Sequence, residues 1–66
     1  MTELTKEQFF TEIREKKLDL VVSVVGNYPY TDEFKFRDGR RWGKIINTPD
    51  PERKNYPFYT TQYFKM

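Results

Sequence analysis

The hydrophobic period of this chain changes once, at Lys17-Leu18, and that change limits its fold more than any other feature. Upstream, Phe9, Phe10, Ile13 and the stem of Lys17 fall on one side at helical spacing. Glu12 and Lys16 stand four apart on the opposite side, where they can pair. Thr5-Lys6-Glu7-Gln8 fits a capping box, with Leu4 and Phe9 spaced as a hydrophobic staple. The pattern predicts a helix from about Lys6 to Lys17.

Downstream the period is two. LDLVVSVV, Leu18 to Val25, alternates β-branched residues and predicts a strand with one buried and one half-buried face. Residues from Gly26 to Asp32 supply turn chemistry. Glu33 to Arg37 alternates with Phe34 and Phe36 inward, and a partner strand follows from about Arg40 to Asn47. Thr48 to Pro57 reads as a loop, because its three Pro interrupt a regular ladder. Phe58 to Phe64 is the last strand. One helix followed only by strands predicts an α+β domain spanning residues 1–66, its helix packed on one face of a three- to four-stranded antiparallel sheet. Leu20, Val22, Phe34 and Phe36 are the expected core.

A chain of 66 residues without Cys has no disulfide to support it. At this size only about 60% of the unfolded surface is buried, so the core must be efficient. Aromatic residues make up 18% of the chain, more than such a core requires, and the surplus points to an interaction surface. Net charge is only +2, but it is uneven: residues 1–32 carry −2 and residues 33–66 carry +4. The longest apolar run is far shorter than the roughly 20 residues of a membrane span, and no leader pattern is present. These features predict a cytoplasmic protein without a membrane partner.

Residues 35 to 44, KFRDGRRWGK, hold five cations, one acid and the single Trp. Asp38-Gly39 signals a two-residue hairpin loop of type I′, which needs positive φ at both positions. Such a loop sets Arg37 opposite Arg40, Lys35 opposite Trp42 and Glu33 opposite Lys44, and opposed residues share a face. Lys35, Arg37, Arg40, Trp42 and Lys44 then line one face, with Phe34, Phe36 and Ile45 on the other. A four-residue loop keeps that parity for Trp42 and Lys44. A three-residue loop instead carries Trp42 into the core beside Phe36.

On the first parity the hairpin offers a ring for base stacking, ~1–3 kcal/mol per base, among cations that attract phosphates. The candidate nucleic-acid-binding residues are Lys35, Arg37, Arg40, Arg41, Trp42 and Lys44. Tyr59 and Tyr63, on one face of the last strand, would extend the platform. The same cations equally suit a structural duty, since charge on an exposed strand discourages pairing with neighbouring molecules. Tyr59 and Tyr63 equally suit packing.

Catalysis finds no support in this sequence. His and Cys are absent, no two acids have a spacing that implies shared acid–base work, and no Gly-rich phosphate loop exists. No catalytic residue, metal ligand or cofactor is expected. The chain therefore reads as a non-enzymatic binding protein whose first candidate target is nucleic acid, single- or double-stranded. The alternative is a small inhibitor or adaptor, such as phages and plasmids carry against a host protein, which grips that protein through exposed aromatics and Arg. It is expected to act as a monomer or as a homodimer through an edge strand.

Overall fold

The computed structural model describes residues 1–26, 30–49, 52 and 59–66. Its elements are β1 (Thr2–Leu4), α1 (Lys6–Glu15), β2 (Leu20–Val25), β3 (Tyr30–Phe36), β4 (Arg41–Pro49) and β5 (Tyr59–Lys65). The strands form one antiparallel sheet in the order β1-β5-β4-β3-β2, with α1 on one face. The α+β architecture is the expected one. The sheet has five strands rather than three or four, because Thr2–Leu4 adds to the outer side of β5. Three residues with one apolar side chain carry too little alternation to be read as a strand.

The helix begins where the capping box places it. The backbone N–H of Gln8 donates to Thr5 Oγ1 at 3.1 Å, and the N–H of Thr5 donates to Gln8 Oε1 at 2.9 Å. It ends two residues earlier than the pattern predicts. The N–H of Leu18 donates to the Ile13 carbonyl and that of Lys17 to the Arg14 carbonyl, the paired bonds of a Schellman motif. Lys17 occupies the left-handed position with φ 50°, where glycine is the usual residue. Leu18 and Ile13, the apolar pair that accompanies this motif, both pack against the core.

The core is small. Phe9 is fully buried, and Phe34, Trp42 and Ile45 are buried around it. The Phe9 ring lies 5.2 Å from Phe34, 4.9 Å from Trp42 and 5.5 Å from Tyr63, so one helical side chain joins three strands. Gly43 makes this approach possible. A Cβ there would lie 2.5 Å from the Phe64 carbonyl oxygen and 3.3 Å from the Phe9 ring. Glu12 ties the outer side of α1 to the sheet, accepting from Lys16 Nζ at 2.7 Å and from Lys65 Nζ on β5.

Two expectations for β2 fail. Only Leu20 of that strand is partly buried, and Val22, expected in the core, is 53% exposed. The cause is the size and position of the helix. A ten-residue helix is about 15 Å long, about the width of three strands, and its buried Phe9 packs on β5, β4 and β3. Only Thr5 separates it from β1, so it starts at the opposite edge of the sheet from β2. β3 begins at Tyr30, earlier than expected, and β4 continues through Pro49, which pairs with Tyr59. The turn residues Asn27 to Pro29, most of the Pro-rich loop and Phe58 lie outside the described residues.

Candidate functional site

The β3–β4 hairpin departs from the two-residue loop in two places. Its loop has three residues, Arg37-Asp38-Gly39. The N–H of Phe36 donates to the Arg40 carbonyl at 2.8 Å, and that of Gly39 donates to the Phe36 carbonyl at 2.9 Å. Gly39 has φ 93°, the left-handed residue that closes a three-residue loop of this type. Asp38 reinforces the turn by accepting the Arg40 backbone N–H at 3.0 Å and the Arg40 Nε at 2.6 Å.

The second departure is a β-bulge. Lys35 pairs with Arg41, but Phe34 pairs with Gly43, so Trp42 is an extra residue on β4. The bulge leaves the Trp42 carbonyl to accept from the N–H of Met66 at 2.9 Å. The odd loop and the bulge cancel. Glu33 faces Lys44 as the two-residue loop predicted, and Ile45 is buried, but Trp42 has turned into the core with 7% exposure. Trp42 is therefore not a surface stacking ring.

The remaining candidates divide among three places. Arg40 leans onto the helix side, its guanidinium 4.8 Å from the centre of the Phe36 ring. Arg37 projects at the loop and grips Asp19 through two bonds of 2.6 and 3.2 Å. Arg37 holds the Asp19 carboxyl below the usual carboxylate range, and the Arg40 backbone and side chain do the same for Asp38. Both pairs thus remain ionised at neutral pH, and their cations are engaged within the chain. Tyr63 belongs to the helix face, where it packs on Phe9 and Phe10. Tyr59 pairs through its backbone with Pro49, and its side chain lies outside the described residues.

Lys35, Arg41 and Lys44 do share a face, the one opposite the helix. The ladder assigns that open face residue by residue. Val21, Ser23 and Val25 of β2 oppose Lys35, Glu33 and Thr31 of β3. The latter three oppose Arg41, Lys44 and Ile46 of β4, and Lys44 and Ile46 oppose Phe64 and Gln62 of β5. Lys44 Nζ stands 6.0 Å from the Phe64 ring centre, and Lys35 pairs with Glu33 at 3.2 Å. No described helix or strand packs over this face.

Phe64 is the residue that sequence reasoning passed over. Its parity with Gln62 was legible, but Tyr59 and Tyr63 were expected to be the rings facing outward. Among the described residues no three His, Cys, Asp or Glu side chains gather where a metal ion could sit. No described helix is long and apolar enough to cross a membrane. No protein-family model, curated protein or solved structure matches this chain.

Proposed function

We propose that this chain is a small non-enzymatic protein-binding module that engages its partner through the open face of the sheet. The observation that carries this reading is the composition of that face. It combines an aromatic ring, Phe64, and the aliphatic side chains Val21, Val25 and Ile46 with charges of both signs, Lys35, Arg41, Lys44, Glu33 and Glu3. A polyanion site needs a field of one sign, whereas a protein interface uses an apolar centre with a mixed polar rim. Phe64 and Arg41 are of residue types enriched at protein interfaces, and both stand on this face.

Nucleic-acid binding is the second reading, and one observation favours it. Lys35 and Arg41 are directly opposed, with Lys44 beside Phe64, which makes a compact cationic patch next to a ring. This patch is smaller than the one expected from the sequence, because Trp42 has left it and Arg37 and Arg40 are engaged by Asp19 and Asp38.

One capture experiment separates the two. The immobilised protein is exposed to a native extract of its source cells, with and without nuclease, at low and high salt. A discrete protein retained through nuclease and high salt, and lost with Arg41→Ala or Phe64→Ala, supports the first reading. Retention that falls steeply with salt and disappears with nuclease supports the second. Circular dichroism confirms that each variant is folded.

A further inference from the structure

The two edges of the sheet are protected very differently. β1 is three residues long, carries Glu3 at its centre and leads at once into the capped helix. Two copies of β1 laid antiparallel about that centre would set Glu3 against Glu3. β2 has six residues, LVVSVV, without a charge or a proline. Its pairing with β3 is regular along its whole length, so no bulge twists the edge away. Val21, Val22, Val24 and Val25 are 43%, 53%, 70% and 43% exposed, so both sides of the strand are bare. Short length, charge, proline, bulges and cover are the devices that keep a strand edge from pairing, and among the described residues β2 has none of them.

We propose that β2 is the self-association edge of this protein, where two copies pair antiparallel about a two-fold axis at Ser23. Residues opposed across an antiparallel pair share a face, so a symmetric pairing must match residues of like parity. Val22 and Val24 lie on the helix face, since they oppose Phe34 and Asp32. Val21, Ser23 and Val25 lie on the open face, since they oppose Lys35, Glu33 and Thr31.

Centring on Ser23 sets Val22 against Val24 of the partner subunit, and Val21 against Val25 of the partner subunit. Every exposed valine then meets a valine, and no charge faces another. Centring on Val22 would instead set Asp19 against Val25 of the partner subunit, so the Ser23 register is the favoured one.

A second copy fits this edge better than a foreign strand does, because it supplies the complement at every position by symmetry. The need for it is also internal. Among the described residues four buried side chains make up the core, and the chain has no Cys to staple it. Association is a common way for so small a scaffold to bury more apolar surface.

The test is sedimentation equilibrium of the full chain from low-micromolar to millimolar concentration, with hydrogen exchange of the β2 amides. The expected mass rises toward twice that of the single chain, and the outward amides of β2 gain protection as it rises. Val24→Lys places a cation at the most exposed valine and should weaken association at least about tenfold without altering the circular dichroism. Mixing Val24→Lys with Val22→Glu, which this register sets opposite each other across the axis, should restore it.

A single-chain mass at every concentration would overturn the proposal, as would association that ignores both substitutions. Protection of the β2 amides only in the presence of a foreign chain would also overturn self-pairing, and would assign the edge to that chain. None of these outcomes depends on which partner the open face binds.

Discussion

The two faces of the sheet are built from similar side chains put to different uses. On the helix face, Phe34, Trp42, Ile45 and Tyr63 surround Phe9, a ring that is fully buried. On the open face, Phe64, Ile46, Val21 and Val25 stand among cations and acids with no described element above them. Hydrophobicity alone does not separate the sets, since each holds aromatics and aliphatics. What separates them is reach. A ten-residue helix anchored beside β1 can cover one face, and only part of it. Stability should therefore be sensitive to substitutions on one face and nearly indifferent on the other, while binding shows the reverse.

The largest effect expected is that of Phe9→Ala, which removes the ring that joins three strands. It should cost ~3–5 kcal/mol, enough to unfold a domain of this size, as read by urea denaturation. Gly43→Ala comes next. Its methyl group would press on the Phe64 carbonyl and the Phe9 ring from beneath, and strain of this kind costs ~1–3 kcal/mol.

Thr5→Ala tests the joint between β1 and α1. Loss of the N-cap acceptor should lower stability by ~0.5–2 kcal/mol, visible as a shifted denaturation midpoint at constant slope. Lys17→Gly should move the midpoint the other way. It relieves a left-handed residue whose strain is of order 1 kcal/mol, partly offset by the greater freedom of glycine in the unfolded chain.

The smallest change belongs to the open face. Val21→Thr keeps the β-branched shape at a residue that is 43% exposed and should stay within about 0.5 kcal/mol of the parent. A loss there as large as that of Gly43→Ala would mean that the open face is a second core.

The helix was the most legible element because the capping box marked its start, although its end came two residues earlier than the period placed it. The α+β class followed from the single change of period. The faces of β3 and β5 were legible as alternation, but alternation does not say which face is covered. That depends on where the helix lies, and so Val22 was assigned to the core and is exposed. Strand β1 was not legible, since its pairing with β5 joins residues at the two ends of the chain.

The hairpin shows a subtler limit. Asp38-Gly39 identified the turn but not its length, because Gly39 serves a three-residue loop as well as a two-residue one. Two irregularities then offset each other, leaving Lys44 and Ile45 on their expected faces while Trp42 changed sides. Gly43 fell within the expected strand, but nothing in the pattern showed why it is a glycine: it lies in β4 where the helix packs closely against the sheet.

Trp42 divides the two faces, and as the only Trp of the chain it reports its own position through fluorescence. The most direct measurement is its emission spectrum and its quenching by acrylamide in the folded protein, set against the urea-unfolded chain. Burial beside Phe9 behind a three-residue loop and a bulge predicts emission at shorter wavelength than in the unfolded chain, with weak quenching that becomes strong on unfolding. Emission and quenching equal to those of the unfolded chain would place Trp42 in solvent, and would return the hairpin to its two-residue register with the stacking ring among its cations.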